Sequence, residues 1–292
     1  MAYFLDEEER KSIERLSREV DIDEEFRGWH YLDGPLRPPY NVTLPLYIVA
    51  GEMVFSSKRE YEEYLINSRA NPSREMLLGS SLHKAISTVV EEAKMFIYRY
   101  GLLSGSDLYH YLTKIRDGKV DELLSSIGKG RAGGGGGREE DHRTDIRQYV
   151  NRLWLYESLQ VASSVDRVLA QGIESRDVLI QKAIPFTLEY EVDGRRIGLS
   201  ERLRVDAFGH FMVVFELKTG KRSEHHRLAT TGYALALESM LEHPINVGCI
   251  VYLSFEQDRT TPLIRREVHA IEESLRRWFI EERDRKMEIL VH

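Results

Sequence analysis

Apolar residues in the first part of the chain recur mainly at helical spacing. A charged stretch at 6–20 has the length of a short helix, and from Arg74 onward apolar residues return every three or four positions. The same spacing predicts helices over 105–127 and 145–172. Residues 26–45 hold four of the eight prolines, which predicts an ordered but irregular arm.

Short apolar runs replace this pattern after residue 172. Residues 178–200 predict two strands joined at Asp193–Gly194, because Asp-Gly suits a two-residue hairpin turn. The remaining predicted elements are strands "RLRVDAF" and "FMVVFELK", a helix over about 224–242, strands "INVGCIVYLSF" and "LIRREVHA", and a helix over 271–287. A helical half followed by β-β-β-β-α-β-β-α predicts an α/β fold.

Residues 128–143 read "GKGRAGGGGGREEDHR" and predict a flexible loop, since five consecutive glycines do not hold regular structure. A phosphate-cradling loop needs glycines at fixed offsets between a strand and a helix, followed by a lysine and a hydroxyl. That pattern is missing here, so a phosphate-binding loop is not expected.

The chain has 292 residues and a net charge of −7, with 48 acidic and 41 basic residues, which argues against a general nucleic-acid coat protein. Residues 202–227 depart from this balance, with six basic residues against three acidic ones. That excess predicts a DNA-facing surface formed by Lys221, Arg222 and Arg227, although a solvated helix start also explains it. Tyr233 fits either packing or a phosphate contact.

Cys249 is the only cysteine, which excludes an internal disulfide, a thiolate zinc site and a four-cysteine iron–sulfur cluster on this chain. It is expected to be a small buried apolar side chain. No segment resembles a signal peptide or a membrane span, so a cytoplasmic location without membrane association is expected. Five Asn and five Gln in the whole chain fit a thermophilic source.

Two carboxylates and a lysine lie in the apolar stretch "RLRVDAFGHFMVVFELKTGKR". Glu216 and Lys218 alternate along one strand and therefore share a face, and the hairpin can bring Asp206 beside Glu216. Paired carboxylates favour Mg2+ or Mn2+, the Leu217 carbonyl can add a third ligand, and Lys218 can position the attacking water. The alternative is a surface hairpin with an ordinary ion pair.

The Asp…Glu-x-Lys spacing on a hairpin followed by a helix resembles the PD-(D/E)XK nuclease superfamily, and within it the RecB-like branch. That branch also carries a histidine on an upstream helix, and "LLGSSLHKAI" supplies His83. The resemblance therefore implies a restriction-endonuclease-like core with a central mixed sheet flanked by helices, and His83 as a metal ligand beside Asp206, Glu216 and the Leu217 carbonyl.

A closer resemblance is to the fourth family of CRISPR-associated (Cas) proteins, which are exonucleases, in its archaeal type I-A form. The stretches that carry it are "FRGWHY", "LLGSSLHKAI", "GLSERLRVDAF", "ELKTGKRSEHHRLATTGYALALES" and "EERDRKMEIL". The resemblance runs from about residue 26 to the C-terminus. The chain is expected to consist of an N-terminal helix and irregular arm over 1–73 and a nuclease domain over 74–292, with a helical insertion at 105–172.

The family activity implied is a metal-dependent nuclease acting on single-stranded DNA ends during CRISPR spacer acquisition, beside Cas integrase proteins. Two features depart from the family. The four cluster cysteines are missing, and Ala229 stands where the RecB-like branch often has Gln, so that His225, His226 or Arg227 would have to substitute. The alternatives are a non-catalytic subunit that binds DNA or Cas partners, and a repair or viral nuclease of the same superfamily.

Overall fold

The computed structural model of the chain describes residues 1–70, 72–101, 103–128, 138–209, 211–256 and 260–291. The α-helices are α1 (Glu7–Glu19), α2 (Leu46–Val49), α3 (Lys58–Ala70), α4 (Arg74–Tyr100), α5 (Gly105–Gly128), α6 (Arg138–Leu169), α7 (Arg176–Ala183), α8 (His226–Leu241) and α9 (Glu273–Val291). The strands are β1 (Phe186–Val192), β2 (Leu203–Gly209), β3 (Val213–Lys218), β4 (Val247–Ser254) and β5 (Leu263–Ala270). Short 3-10 turns lie at Glu24–Phe26, Gly28–His30, Gly34–Leu36 and Arg195–Ile197.

Within the described residues the strands form one five-stranded sheet in the order β1-β2-β3-β4-β5. Strands β2 and β3 are antiparallel, whereas β3 and β4 are parallel, with α8 as the crossover between them. A mixed sheet flanked by helices confirms the α/β class.

The helices predicted from apolar spacing are confirmed. α1 starts at a capping box in which Asp6 and Glu9 exchange side chain–backbone hydrogen bonds of 2.7 and 2.8 Å. α4 follows Ser73, whose hydroxyl accepts a hydrogen bond from the Met76 N–H at 3.2 Å. Three further helices, α2, α3 and α7, have no counterpart in the sequence prediction.

The predicted hairpin over residues 178–200 is wrong, although the end of its first strand is confirmed as β1. Residues 178–183 are helical instead, because Leu179 and Ala183 are buried at a spacing of four in α7. β1 then runs to Val192, and a turn follows in which the Asp193 carboxylate accepts from the Arg195 N–H at 3.0 Å. The chain leaves that turn through Gly198, at a φ of 75°, and pairs with the N-terminal arm instead of β1.

The glycine-rich loop predicted at 128–143 overlaps the ends of two helices. α5 includes Gly128 and α6 begins at Arg138, so both ends of the segment are helical. Residues 129–137, which contain the five consecutive glycines, lie outside the described residues.

The chain divides into two compact units. The first comprises Met1–Ala2, Ser73–Phe186 and Leu253–Ile264, and the second comprises Tyr3–Pro72, Thr187–Tyr252 and Arg265–His292. The packing therefore groups the N-terminal arm with most of the sheet, whereas the sequence-based division separates them at residue 73.

The first unit is built around α4, α5, α6 and α7, which pack on one another. Trp154 of α6 is fully buried, and its indole N–H donates to the Leu112 carbonyl at 2.9 Å. Gly105 allows α5 to approach α6, since a Cβ there would lie 2.1 Å from the Ala162 carbonyl oxygen.

In the second unit, α8 packs against β3 and against α9. Its centre is the carboxylate of Glu238, which is fully buried on α8. Arg276 of α9 donates to its two oxygens at 2.7 and 2.9 Å, and Arg27 of the arm donates at 3.1 Å. The Gly28 and Ile245 N–H groups donate at 2.8 and 2.9 Å. A buried carboxylate with this many donors is compensated for its lost hydration.

The end of α9 holds the N-terminal arm in a similar way. The fully buried Arg283 guanidinium donates to the Leu36 and Ile197 carbonyls at 2.9 and 3.2 Å. The Lys286 ammonium donates to the carbonyls of Ile48 and Gly51 at 2.8 and 2.7 Å. These bonds tie the N-terminal segment to α9 and give buried backbone carbonyls a donor.

Of the described helices, none is both long enough and apolar enough to cross a bilayer.

Gly28→Ala is expected to destabilise the protein by about 2–3 kcal/mol, because overpacking a tight contact has costs of this size. The added Cβ would lie 2.2 Å from the Leu235 carbonyl oxygen and 2.5 Å from the Glu238 Cβ. Chemical denaturation followed by circular dichroism measures the loss. The control is Gly118→Ala, where a Cβ meets nothing within 4 Å and should be neutral or stabilising. Equal changes in the free energy of unfolding for Gly28→Ala and Gly118→Ala would contradict the close packing of Gly28 against α8.

Candidate active site

The β2–β3 hairpin brings the predicted charged residues together. Its register pairs Ala207 with Phe215 and Phe208 with Val214, and continuing it by one residue places Asp206 opposite Glu216. Lys218 lies two residues beyond Glu216 on the same strand, at the end of β3. The structure therefore brings Asp206, Glu216 and Lys218 together in one cluster.

Hydrogen bonds define how the cluster is held. The Leu217 N–H donates to Asp206 Oδ2 at 2.7 Å, and Lys218 Nζ lies 2.6 Å from Glu216 Oε1. Glu216 is 8% exposed, and its Oε2 is buried without a hydrogen-bond partner among the described residues. A buried carboxylate oxygen without a donor is costly, and a cation would compensate it.

The charges in the cluster perturb one another. Burial, and next the nearby Glu216 carboxylate, raise the pKa of Asp206 well above its ordinary value. Burial alone would lower the pKa of Lys218, but attraction to Glu216 and Asp206 outweighs it and raises that pKa. Lys218 therefore stays protonated at neutral pH, and without a further cation Asp206 tends to keep its proton.

The donor set suits a hard divalent cation, which binds oxygen ligands and often takes only one or two protein carboxylates. No group of three or more His, Cys, Asp or Glu side chains that could hold a metal is found in the part of the chain that the structure describes. His83 lies on α4 in the first unit, whereas both carboxylates lie in the second. Its role as a ligand, and that of the Leu217 carbonyl, stay predictions.

Tyr233 and His226, both on α8, lie close enough to the cluster for its charges to shift their pKa values. Burial and the Glu216 and Asp206 carboxylates raise the pKa of Tyr233 well above its ordinary value. Burial and the Lys218 ammonium lower the pKa of His226, which is therefore mainly neutral at neutral pH.

Tyr252 is a site residue that the sequence analysis missed. The parallel β3–β4 register pairs it with Lys218, and its hydroxyl lies 3.1 Å from His226 Nδ1. Nothing in the local sequence marks it, because pairing between strands separated by a helix is decided only by the fold. For His226, the sequence predicts only that it is one of three residues able to substitute for the Gln that Ala229 replaces.

Two of the predicted DNA-binding arginines already have a partner. Arg222 lies 2.6 Å and Arg227 2.5 Å from different oxygens of Glu267 on β5. Burial alone would raise the pKa of Glu267, but the hydrogen bonds from both arginines outweigh it and lower that pKa. Lys221, in contrast, is exposed. The predicted basic surface is therefore partly neutralised by an acid that is distant in sequence.

Cys249 lies in the middle of β4 and is fully buried, as predicted. Burial raises the pKa of its thiol to about 12, so it has little thiolate character at neutral pH.

Comparisons with known proteins give a consistent result. The family model described as CRISPR-associated exonuclease Csa1 matches residues 1–124 and 138–292. The CRISPR-associated exonuclease Csa1 of Saccharolobus solfataricus is 30% identical over 282 residues, covering 96% of this chain and 88% of that protein. Its namesake from Thermoproteus tenax is 25% identical over 273 residues, covering 93% of this chain and 84% of that protein. No solved structure gives a significant match.

The raised pKa of Asp206 predicts how stability depends on pH. The folded protein holds the proton of this carboxyl group more tightly than the unfolded chain does. The free energy of unfolding therefore falls as the pH rises above 3.8, the ordinary pKa of an aspartate. In EDTA at about pH 8, Asp206→Asn should therefore melt at a higher temperature than the wild type. The difference should shrink as the pH falls toward about 4.

In Mn2+ the wild type should instead melt at a higher temperature than Asp206→Asn. A ligand that binds only the folded state, at a concentration of about 100 times its Kd, raises the free energy of unfolding by about 2.7 kcal/mol. The wild type should gain this stabilisation and Asp206→Asn should gain much less, as measured by differential scanning fluorimetry. Asp33→Asn, on an exposed carboxylate, is the control and should follow the wild type. An identical Mn2+ response of wild type and Asp206→Asn would remove Asp206 from the metal site.

Proposed function

The chain belongs to the CRISPR-associated exonuclease Csa1 family, and from this premise we propose that it is a divalent-metal-dependent deoxyribonuclease that hydrolyses phosphodiester bonds. The observation that carries the proposal is the cluster of Asp206, Glu216 and Lys218, in which Glu216 is buried and the other two are half-buried. It combines two oxygen-donor carboxylates with a protonated lysine. Glu216 has one oxygen 2.6 Å from Lys218 Nζ and a second, buried oxygen without a hydrogen-bond partner among the described residues. This combination suits stabilisation of an anionic phosphate.

Each residue has a distinct role in the proposed reaction. Asp206 and Glu216 would hold Mg2+ or Mn2+, with His83 and the Leu217 carbonyl as further ligands. The cation, when bound, offsets charge on the phosphate and promotes the ionisation of water. Lys218 stays protonated, so it serves as a hydrogen-bond donor that orients the attacking water and stabilises developing charge, rather than as a general base.

The fold supports a RecB-like PD-(D/E)XK assignment at the level of element order. An antiparallel hairpin carries the charged residues, and a helix and a parallel strand follow it. Tyr233 on that helix would stand near the metal, and His226 with Tyr252 would occupy the place of the missing Gln. Lys221, Arg222 and Arg227 would contact DNA next to the cleavage site.

The relatives' name connects them with CRISPR and with exonuclease activity. For this chain we therefore propose processing of single-stranded DNA ends for spacer acquisition in the cytoplasm, in contact with Cas integrase proteins. The proposed reaction does not include an iron–sulfur cluster on this chain, because such a cluster needs four thiolates and Cys249 provides one.

A second candidate function is that of a non-catalytic DNA- or Cas-binding subunit. The observation in its favour is that the described residues contain no group of three His, Cys, Asp or Glu side chains able to hold a metal. A site of two carboxylates binds metal more weakly than one with three protein ligands unless the phosphate completes it.

Lys218→Ala distinguishes these functions, because it removes the ammonium and leaves both carboxylates in place. Cleavage of 5′-labelled single-stranded DNA in Mn2+ should fall by about 100-fold or more, the usual effect of losing one preorganised charge donor. Lys182→Ala, which removes an exposed lysine of α7, is the control and should cleave like the wild type. EDTA should abolish cleavage by all three proteins.

The catalytic proposal fails if wild type and Lys218→Ala are equally inactive on single-stranded and duplex DNA while both bind it. Equal and substantial activity of the two proteins would instead remove Lys218 from the mechanism.

The pairing of two arginines with Glu267 predicts opposite effects of two substitutions on DNA affinity. Glu267→Gln removes the competing carboxylate and should tighten binding of single-stranded DNA several-fold at low salt. Arg222→Ala should weaken binding and reduce the slope of log affinity against log salt by about 0.7, the value for one phosphate contact on a single strand. Titrations by fluorescence anisotropy in EDTA measure both. Salt slopes identical to that of the wild type for both variants would place the DNA elsewhere.

A further inference from the structure

A groove of about 270 Å³ lies in the first unit, between the end of α4 and α5. It is separate in sequence from the hairpin that carries the proposed nuclease site. The side chains that matter for its chemistry are Glu92, Phe96, Arg99, Tyr100, Tyr111 and Lys119. Its volume is close to the lower end of the range of about 300–1,000 Å³ for small-molecule pockets, so it suits one nucleotide-sized group.

One wall of the groove is aromatic. The rings of Phe96 and Tyr111 lie 4.9 Å apart between centroids, and those of Phe96 and Tyr100 lie 5.0 Å apart. Phe96 is buried and holds the other two rings in place, whereas Tyr100 is 50% exposed. Tyr100 therefore presents a supported ring to solvent, which is the arrangement on which a planar ligand can stack.

The charges of the groove favour an anion. The Glu92 carboxylate accepts from the Tyr111 hydroxyl at 2.8 Å and lies 2.9 Å from Lys119 Nζ, so its charge is balanced inside the groove. Arg99 is exposed and makes no hydrogen bond or ion pair with any residue that the structure describes. Lys119 also lies 3.7 Å from Glu122, so its charge is balanced as well. The cation that is left for a ligand is Arg99.

A ligand that matches this groove combines a planar ring with an adjacent negative charge. We propose that the groove binds one nucleotide of single-stranded DNA, with the base stacked on Tyr100 and a phosphate paired with Arg99. Aromatic rings beside cations bind single strands of any sequence in this way, because every base has a stacking face. The inference rests on the proposed function only in taking DNA as the ligand.

The groove requires an unstacked base, so it should not accept duplex DNA. It also provides no partner chosen for a particular base, since Glu92 already has two donors. The structure therefore assigns it to strand capture without sequence preference. An acidic peptide with an aromatic side chain is the competing ligand, and the experiment below includes it.

The test is binding of a fluorescein-labelled thymidine oligonucleotide in EDTA, where cleavage does not interfere. Tyr100→Ala should weaken binding by about 5- to 100-fold, the range for one lost base–aromatic stack. Tyr100→Trp, which keeps a large ring, should bind as well as the wild type or better. Arg99→Ala should lower the salt slope by about 0.7.

Tyr98→Ala is the matched control. Tyr98 lies on the same helix and is 56% exposed, but it bonds to Asp177 outside the groove and should not affect DNA affinity. A second measurement uses an oligonucleotide with 5-iododeoxyuridine, whose photocrosslinks should map by mass spectrometry to the peptide that contains Tyr100. Circular dichroism of each variant confirms that it is folded.

The proposal is overturned if Tyr100→Ala binds the oligonucleotide like the wild type, if crosslinks map only outside α4 and α5, or if only an acidic aromatic peptide binds in a Tyr100-dependent manner. Each outcome is independent of the nuclease site. A wild type that binds DNA through Tyr100 but does not cleave it supports the groove and contradicts the nuclease proposal. If the protein cleaves DNA and Tyr100→Ala changes neither cleavage nor binding, the groove proposal is contradicted and the nuclease proposal is supported.

Discussion

The buried carboxylate of Glu238 is the interaction on which the second unit depends. It accepts hydrogen bonds from the arm, from α9 and from the segment that leads into β4, and so joins three parts of the chain that are distant in sequence. Removing one partner of a buried charge pair typically costs about 3–5 kcal/mol, because the remaining charge is left uncompensated. The network therefore decides where α8 lies against the arm and α9, because another placement would leave a buried charge unpaired.

The position of α8 in turn decides the surroundings of the proposed catalytic cluster. The helix packs against β3, and it carries Tyr233 and His226 to the side of Glu216 and Lys218. The cluster itself is strained electrostatically, because the carboxyl groups of Asp206 and Glu216 lie close together and Lys218 pairs with Glu216. Such a site is less stable than an apolar equivalent, and a rigid support is what allows the chain to keep it.

At the proposed DNA contacts, as in the cluster, cationic side chains are paired with carboxylates. Glu267 on β5 partly neutralises Arg222 and Arg227, which limits non-specific attraction of anions near the cluster. In the first unit, Glu92 is balanced by Lys119, and Arg99 is left to attract a phosphate. Both surfaces thus combine cations with a carboxylate, and the proposed substrate would have to compete with protein groups that already occupy some of them.

The sequence by itself determined the elements with strong local signals. Apolar spacing located α4 and α5, and the alternation of Glu216 with Lys218 placed both on one strand face, because periodicity depends only on neighbouring residues. It also identified the motifs with Arg27 and Glu238, without showing that they bind each other.

Tertiary structure decided the rest. Residues 178–183 became a helix because burial at Leu179 and Ala183 outweighed an ambiguous apolar run. The pairing of Tyr252 with Lys218, and of Glu267 with two arginines, arose from strand register and packing between segments far apart in the chain. Local sequence carries no record of such contacts, since they depend on which surfaces the whole chain brings together.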